Sequence, residues 1–131
     1  MRNIKFRGKT GTTEGKKWVY GYLYKIKSFF SEDYQYFIKN EHLQETSVDE
    51  DTIGQFTGLK DENGKEIYEG DIVKYKNMLG KIIFLQGAFQ LSDFYEEEEW
   101  ILGYINEELE VIGNIYDNPE LLEEGEWRWM T

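Results

Sequence analysis

The sequence predicts a mainly-β protein: a small SH3-like or related β-barrel in the C-terminal part, an N-terminal antiparallel β extension ahead of it, and a short C-terminal helix. Three observations point there. Aromatic residues make up 17% of the chain, and most are Tyr and Phe, which suit a half-buried pleated surface. Thirteen glycines divide the sequence into short apolar runs separated by turns. Asn63-Gly64 lies between two such runs, and Asn-Gly is the strongest short-range hairpin signal because a type I′ turn needs positive φ at both central residues.

Ile4 and Phe6 alternate with polar neighbours and add a first strand. Residues 17–26, KWVYGYLYKI, are dense in aromatic and β-branched side chains, and Gly21 would weaken a helix there. Ser31-Glu32-Asp33 supplies turn chemistry before the run 34–38, so the two runs form an antiparallel pair. Residues 40–51 are polar and acidic and read as a loop with room for one helical turn, separating two lobes, 1–48 and 49–131, of a single domain. A short strand at 52–56 ends at Thr57-Gly58, and the Asn63-Gly64 hairpin follows.

Glu69-Gly70-Asp71 then reverses the chain into 72–75, Leu79-Gly80 leads to 81–85, and Gln86-Gly87 leads to 88–91. Three short strands, each entered through a glycine turn, suggest the barrel. Residues 100–105 fit a strand or one helical turn, and 110–116 form a last strand placed to close the barrel. Asn118 and Pro119 open a helix running through Glu124, with Asn as the cap and Pro at the first position, where its missing amide costs nothing. In the tail, Trp127 and Trp129 share one side of an extended segment and need something to pack on.

Three blocks of the chain resemble the YopX-like family of phages and prophages. Ile4-Lys5-Phe6-Arg7 looks like the family's opening strand, although Gly8-Lys9-Thr10 departs from the small-Trp-acidic continuation found in many members. Residues 54–73, GQFTGLKDENGKEIYEGDIV, are similar over their whole length, with Phe56 where Tyr is frequent. Residues 110–122, EVIGNIYDNPELL, resemble the C-terminal signature. The resemblance implies a mostly-β fold with a barrel-like C-terminal part, a phage or prophage source, and self-assembly. It carries over no catalytic residue.

Composition narrows the chemistry. Asp and Glu number 26 against 15 Lys and Arg, a net charge of −11 that repels polyanions. The basic groupings are limited to Lys16-Lys17 and the scattered Lys74, Lys76 and Lys81, so direct nucleic-acid binding is disfavoured. The absence of Cys excludes disulfides, thiolate nucleophiles and Cys-based metal sites. No apolar run approaches the ~20 residues of a membrane span, and the N-terminus lacks a signal-peptide core, so the expected location is the bacterial cytoplasm with no membrane partner.

No catalytic, cofactor-binding or metal-binding residue is expected. Asp61-Glu62-Asn63-Gly64 lacks the EF-hand spacing, with Gly at the fourth place and Ile72 at the twelfth, and reads as turn chemistry. Glu69 and Asp71 around Gly70 suit turn amides better than an acid and base pair. His42, the single histidine, lies in a polar stretch, and no serine has a nucleophile-elbow context. Gly8, Gly11 and Gly15 lack phosphate-loop spacing.

What remains is an interaction surface. Tyr20, Tyr22 and Tyr24 share one face of a strand and, on an acidic protein, suit core packing or a protein interface better than base stacking. Trp127 and Trp129 join them, as does the acidic run Glu96, Glu97, Glu98 and Glu99, which also reads as a solvated segment. The expected function is a non-enzymatic module that binds a host or phage protein, or copies of itself as a homo-oligomer. Two rival readings are an acidic DNA mimic that occupies a host DNA-binding protein and a hydrolase using the loop carboxylates Glu69 or Asp71.

Overall fold

The aromatic run after Lys17 forms a ten-residue strand, and the strands beside it follow from the same period-2 patterning. The computed structural model describes residues 3–11, 15–93 and 98–122. The chain forms two compact units, Met1–Phe56 and Thr57–Thr131.

The first unit contains β1 (Phe6–Lys9), β2 (Trp18–Lys27), β3 (Tyr34–Lys39), β4 (Glu45–Val48) and the start of β5 (Gly54–Lys60), in the order β4-β3-β2-β1-β5. Every pairing is antiparallel. β2 changes partner along its length: Trp18 to Gly21 face β1, and Tyr22 to Lys27 face β3. Ile38, Val48 and Phe56 are buried. Gly8 lies against Val48, where an added Cβ would come within 3.0 Å of the valine side chain.

The polar tract 40–51, expected as a loop, holds β4 and a 3-10 turn at Glu50–Thr52. Glu45-Thr46-Ser47-Val48 conceals its strand character because it lies at the end of the strand order, where outward side chains meet water and only Val48 is buried.

In the second unit the end of β5 runs beside β6 (Glu66–Tyr68). A five-stranded antiparallel sheet follows in the order β10-β9-β8-β7-β11, built from β7 (Asp71–Tyr75), β8 (Met78–Leu85), β9 (Ala88–Asp93), β10 (Glu99–Ile101) and β11 (Leu109–Asn114). Its core gathers Ile67, Val73, Ile82, Leu91 and Leu109. Leu102 and Ile105, carried by 3-10 turns, join the same cluster.

The sheet does not close into the expected barrel. β10 is three residues long and passes directly into the Leu102–Tyr104 turn. The outer edge of β11 is taken by the β5–β6 turn: Val111 N–H donates to Asp61 Oδ2 at 2.9 Å and Glu62 N–H donates to the Leu109 carbonyl at 3.0 Å. With the Val111 amide and the Leu109 carbonyl satisfied there, this edge of β11 is covered without a second strand.

Two turns differ in kind from the sequence reading. At Asn63-Gly64 only Gly64 takes positive φ, 80°, so the turn is not type I′. Asp61 organises it, with Oδ1 accepting the amides of Asn63 and Lys65 at 2.9 Å each. Both residues of Gln86-Gly87 have positive φ, 52° and 79°, as a type I′ turn requires. Leu79-Gly80 is not a turn but part of β8, and the chain reverses at Lys76-Asn77. Gly80 is needed for close approach: a Cβ there would stand 2.6 Å from the Ser92 carbonyl oxygen.

The expected C-terminal helix is, in the described residues, a 3-10 turn at Pro119–Leu122; Glu124 lies outside them. Asn118, assigned to cap that helix, instead accepts the Asn114 amide at 3.1 Å, and Asn114 Oδ1 accepts the amides of Tyr116 and Asp117. The asparagines lock a loop rather than start a helix.

Gly64→Val is expected to destabilise the protein by about 1–2 kcal/mol, the cost of a β-branched side chain in the left-handed region. No atom lies within 4 Å of the added Cβ, so the loss would come from the backbone alone. A urea midpoint unchanged from wild type would contradict this.

Candidate interaction surface

An open groove of about 730 Å³ lies in the first unit, walled by residues 3–5 ahead of β1, the first half of β2 and residues 39–43. Its apolar lining comes from Ile4, Trp18, Val19, Tyr20, Tyr22 and Leu43, and its cations are Lys5 and Lys39. Gly21 makes this shape. It has φ 154°, and a Cβ there would collide with the Lys39 carbonyl oxygen. The strands approach closely where β2 exchanges β1 for β3, and the tyrosines on either side of the glycine remain at the surface, Tyr20 46% and Tyr22 69% exposed.

Tyr24 behaves differently. Its ring stacks on Phe37 at 5.4 Å between centroids, with the planes 15° apart. Loss of surrounding water, together with a hydrogen bond to Glu45, pushes the Tyr24 phenol above its ordinary pKa. Glu45 is held below the usual carboxylate range by Lys39 first, 3.1 Å away, and by the Tyr24 hydroxyl second. The three tyrosines expected to act as one face are therefore divided into an exposed pair and a packed third.

The far wall is a fixed turn. Asn40 Oδ1 accepts the amides of His42 at 2.9 Å and Gln44 at 3.0 Å, and Asn40 Nδ2 donates to Gln44 Oε1 at 2.9 Å. Leu43 is held at φ 63° and is 75% exposed. His42 is exposed beside Glu41, as a solvated histidine would be.

The β2–β3 hairpin carries the feature that the sequence reading missed. Phe29 and Phe30, at its turn, are 93% and 94% exposed and meet edge to face at 5.3 Å. Ile26 and Tyr34 below them are also exposed. A signal was present: Ser28-Phe29-Phe30-Ser31 places adjacent phenylalanines between two serines, and side chains in a tight turn cannot both reach a core. Ser28 and Ser31 supply turn bonds, Ser28 Oγ accepting the Phe30 amide at 3.4 Å and Ser31 Oγ the Asp33 amide at 3.2 Å.

Of the acidic run, Glu98 and Glu99 are exposed, while Glu96 and Glu97 lie outside the described residues, as do Trp127 and Trp129. Asp71 is buried and accepts the Tyr68 amide at 2.7 Å, a structural role for one of the loop carboxylates weighed as catalytic. Among the described residues no group of three or more His, Asp or Glu side chains could hold a metal ion, and no helix is long and apolar enough to cross a membrane.

Charge is unevenly divided. Residues 1–56 hold nine Lys and Arg against eight Asp and Glu, whereas residues 57–131 hold six against eighteen. The acidity that dominates the whole chain thus belongs to the second unit; among the described residues the balanced unit carries most of the exposed aromatics, Phe84 and Tyr104 being those of the acidic one.

Comparison with solved structures gives several matches, two of which are as follows. The crystal structure of protein EF1440 from Enterococcus faecalis is 28% identical, covers 94% of this chain and all of its own, and superposes with a TM-score of 0.57. The X-ray structure of protein yopX from Bacillus subtilis is 24% identical, covers 91% of this chain and 95% of its own, with a TM-score of 0.53, and shows the fold. Comparison with curated proteins gives no match. A family model described as YopX protein matches residues 5–123, nearly the entire chain and, but for Ile4, the three blocks that carried the resemblance, and the chain belongs to that family.

Proposed function

We propose that this protein is a non-enzymatic protein-binding module of phage or prophage origin, working in the bacterial cytoplasm, and that it docks through the β2–β3 hairpin. The observation that carries this reading is the pair Phe29 and Phe30, each more than nine-tenths exposed. Apolar side chains held in water on a hydrogen-bonded turn mark an interaction site, because leaving them there forgoes about 1.5–3 kcal/mol of burial for each. The near-balance of charge in residues 1–56 supports apolar recognition by this unit, with the acidic residues 57–131 serving solubility.

The test is capture from phage-carrying host lysate with wild type and with a Phe29→Ser/Phe30→Ser variant, washed at increasing salt. The variant is expected to keep the wild-type denaturation midpoint, since both rings are exposed, and to lose the captured protein. Wild type is expected to hold its partner into about 1 M salt, where charges are screened beyond about 3 Å. A partner that is released by moderate salt, displaced by duplex DNA and retained by the variant would favour the acidic DNA mimic instead.

A further inference from the structure

We infer that the occupant of the groove is the Phe29-Phe30 tip of a second copy, so that the first unit carries both halves of a head-to-tail interface. This rests on the reading of the hairpin as the docking element and names its partner.

The two surfaces match in chemistry. The tip offers two phenyl rings and the groove offers Ile4, Trp18, Tyr20, Tyr22 and Leu43. A volume of about 730 Å³ lies within the range of sites that enclose whole small molecules, so both rings fit. Charge agrees as well. Glu32 and Asp33 follow the phenylalanines after Ser31, and the groove walls carry Lys5 and Lys39. Lys39 also holds Glu45 at 3.1 Å, Glu32 holds Lys27 at 3.1 Å, and Glu41 on the groove wall faces His42 at 3.5 Å. The groove therefore does not oppose an acidic turn as the rest of this acidic protein would.

Leu43 supplies an independent observation. A leucine at φ 63° is strained, and such strain persists only where the surroundings enforce it, as the Asn40 hydrogen bonds do here. The strain secures no core contact, since Leu43 is 75% exposed; it holds an apolar side chain in water on the groove wall. Tip and groove in one molecule cannot meet. Phe29 lies seven positions beyond Tyr22, and at about 3.3 Å per residue the hairpin carries the tip roughly 20 Å away. The contact is therefore between copies. Repeated head to tail the contact builds a ring or an open chain, and made reciprocally by two copies it closes a two-fold dimer.

The experiment is sedimentation velocity on the full chain over a range of concentrations, using wild type, Phe29→Ser/Phe30→Ser and Tyr22→Glu, each alone and the two variants mixed. Both variants change exposed side chains, and unchanged denaturation midpoints establish that they fold. Wild type is expected to form dimers or larger species, each variant alone to be monomeric, and the equimolar mixture to form a one-to-one dimer and nothing larger, because it contains one intact tip and one intact groove. Leu43→Gly, which relieves the positive φ, is expected to raise the denaturation midpoint while weakening association at least several-fold. A monomeric wild type, a mixture that stays monomeric, full association by Tyr22→Glu, or Leu43→Gly that associates as wild type does would each overturn the inference. If wild type is monomeric and Phe29→Ser/Phe30→Ser still loses a different captured protein, the hairpin remains the docking element and only its assigned partner falls.

Discussion

Asp61→Ala is expected to lower folding stability by about 3–4 kcal/mol, because one buried carboxylate satisfies three backbone amides. Oδ1 accepts from Asn63 and Lys65, Oδ2 accepts from Val111, and the side chain is 5% exposed. The first two amides can turn to water when the carboxylate is lost, since Asn63 and Lys65 are exposed; the Val111 amide, in a buried contact, cannot. Most of the cost falls there, at about 1–3 kcal/mol for a buried donor left without a partner, with the lost charged hydrogen bonds added to it. The same bond holds the β5–β6 turn against the edge of β11. The urea midpoint measures the effect, and a loss below about 1 kcal/mol would remove Asp61 from this role.

The same residue predicts a pH dependence. Burial by itself would raise the Asp61 pKa, but the amides of Val111, Lys65 and Asn63 outweigh it and hold the carboxyl below its ordinary value. In the unfolded chain it returns to about 3.9. A carboxylate depressed in the folded state stabilises fully above its unfolded pKa, and the contribution disappears as pH falls through the folded pKa. The stability difference between wild type and Asp61→Ala should accordingly be constant at neutral pH and narrow below about pH 4. A difference that did not change on acidification would mean that Asp61 is not titrating in this environment.

Gly21→Ala is expected to cost about 3 kcal/mol, the upper part of the range for forced overpacking, and to damage the candidate surface as well as the fold. The added Cβ meets backbone rather than a movable side-chain end: it collides with the Lys39 carbonyl oxygen, lies 2.8 Å from the Lys39 carbonyl carbon and 3.0 Å from the Asn40 Cα. A φ of 154° adds backbone strain for any residue with a side chain. Relief requires β2 and β3 to separate at Tyr22↔Lys39, where the groove has its floor. Hydrogen exchange should therefore accelerate at the β2 and β3 amides, alongside a reduced denaturation midpoint. Protection equal to wild type at Tyr22 and Lys39 would contradict the close approach.

The strands themselves were legible in the sequence because they are written in local patterns. The aromatic runs at 18–27 and 34–39 and the short runs after Gly70 and Gln86-Gly87 each contain enough alternating or β-branched residues to identify a strand without knowing its neighbour. The structural role of Asp71 was legible as well, since a carboxylate beside Gly satisfies nearby amides. The family was carried by three blocks spanning most of the chain. Tertiary structure alone decided the features that depend on residues far apart. β4 is a strand only because β3 lies beside it, Gly80 is a strand residue only because Ser92 approaches it, and the sheet stays open because the Asp61 carboxylate reaches Val111 fifty residues away. Exposure is of the same kind: Tyr20, Tyr22 and Tyr24 are equivalent in sequence, yet only Tyr24 finds Phe37 to stack on, while Phe29 and Phe30 look like core residues until the hairpin carries them into water. A local pattern states what a side chain prefers; which neighbour satisfies that preference is set by pairings that close long loops, and those are chosen by the energy of the whole fold.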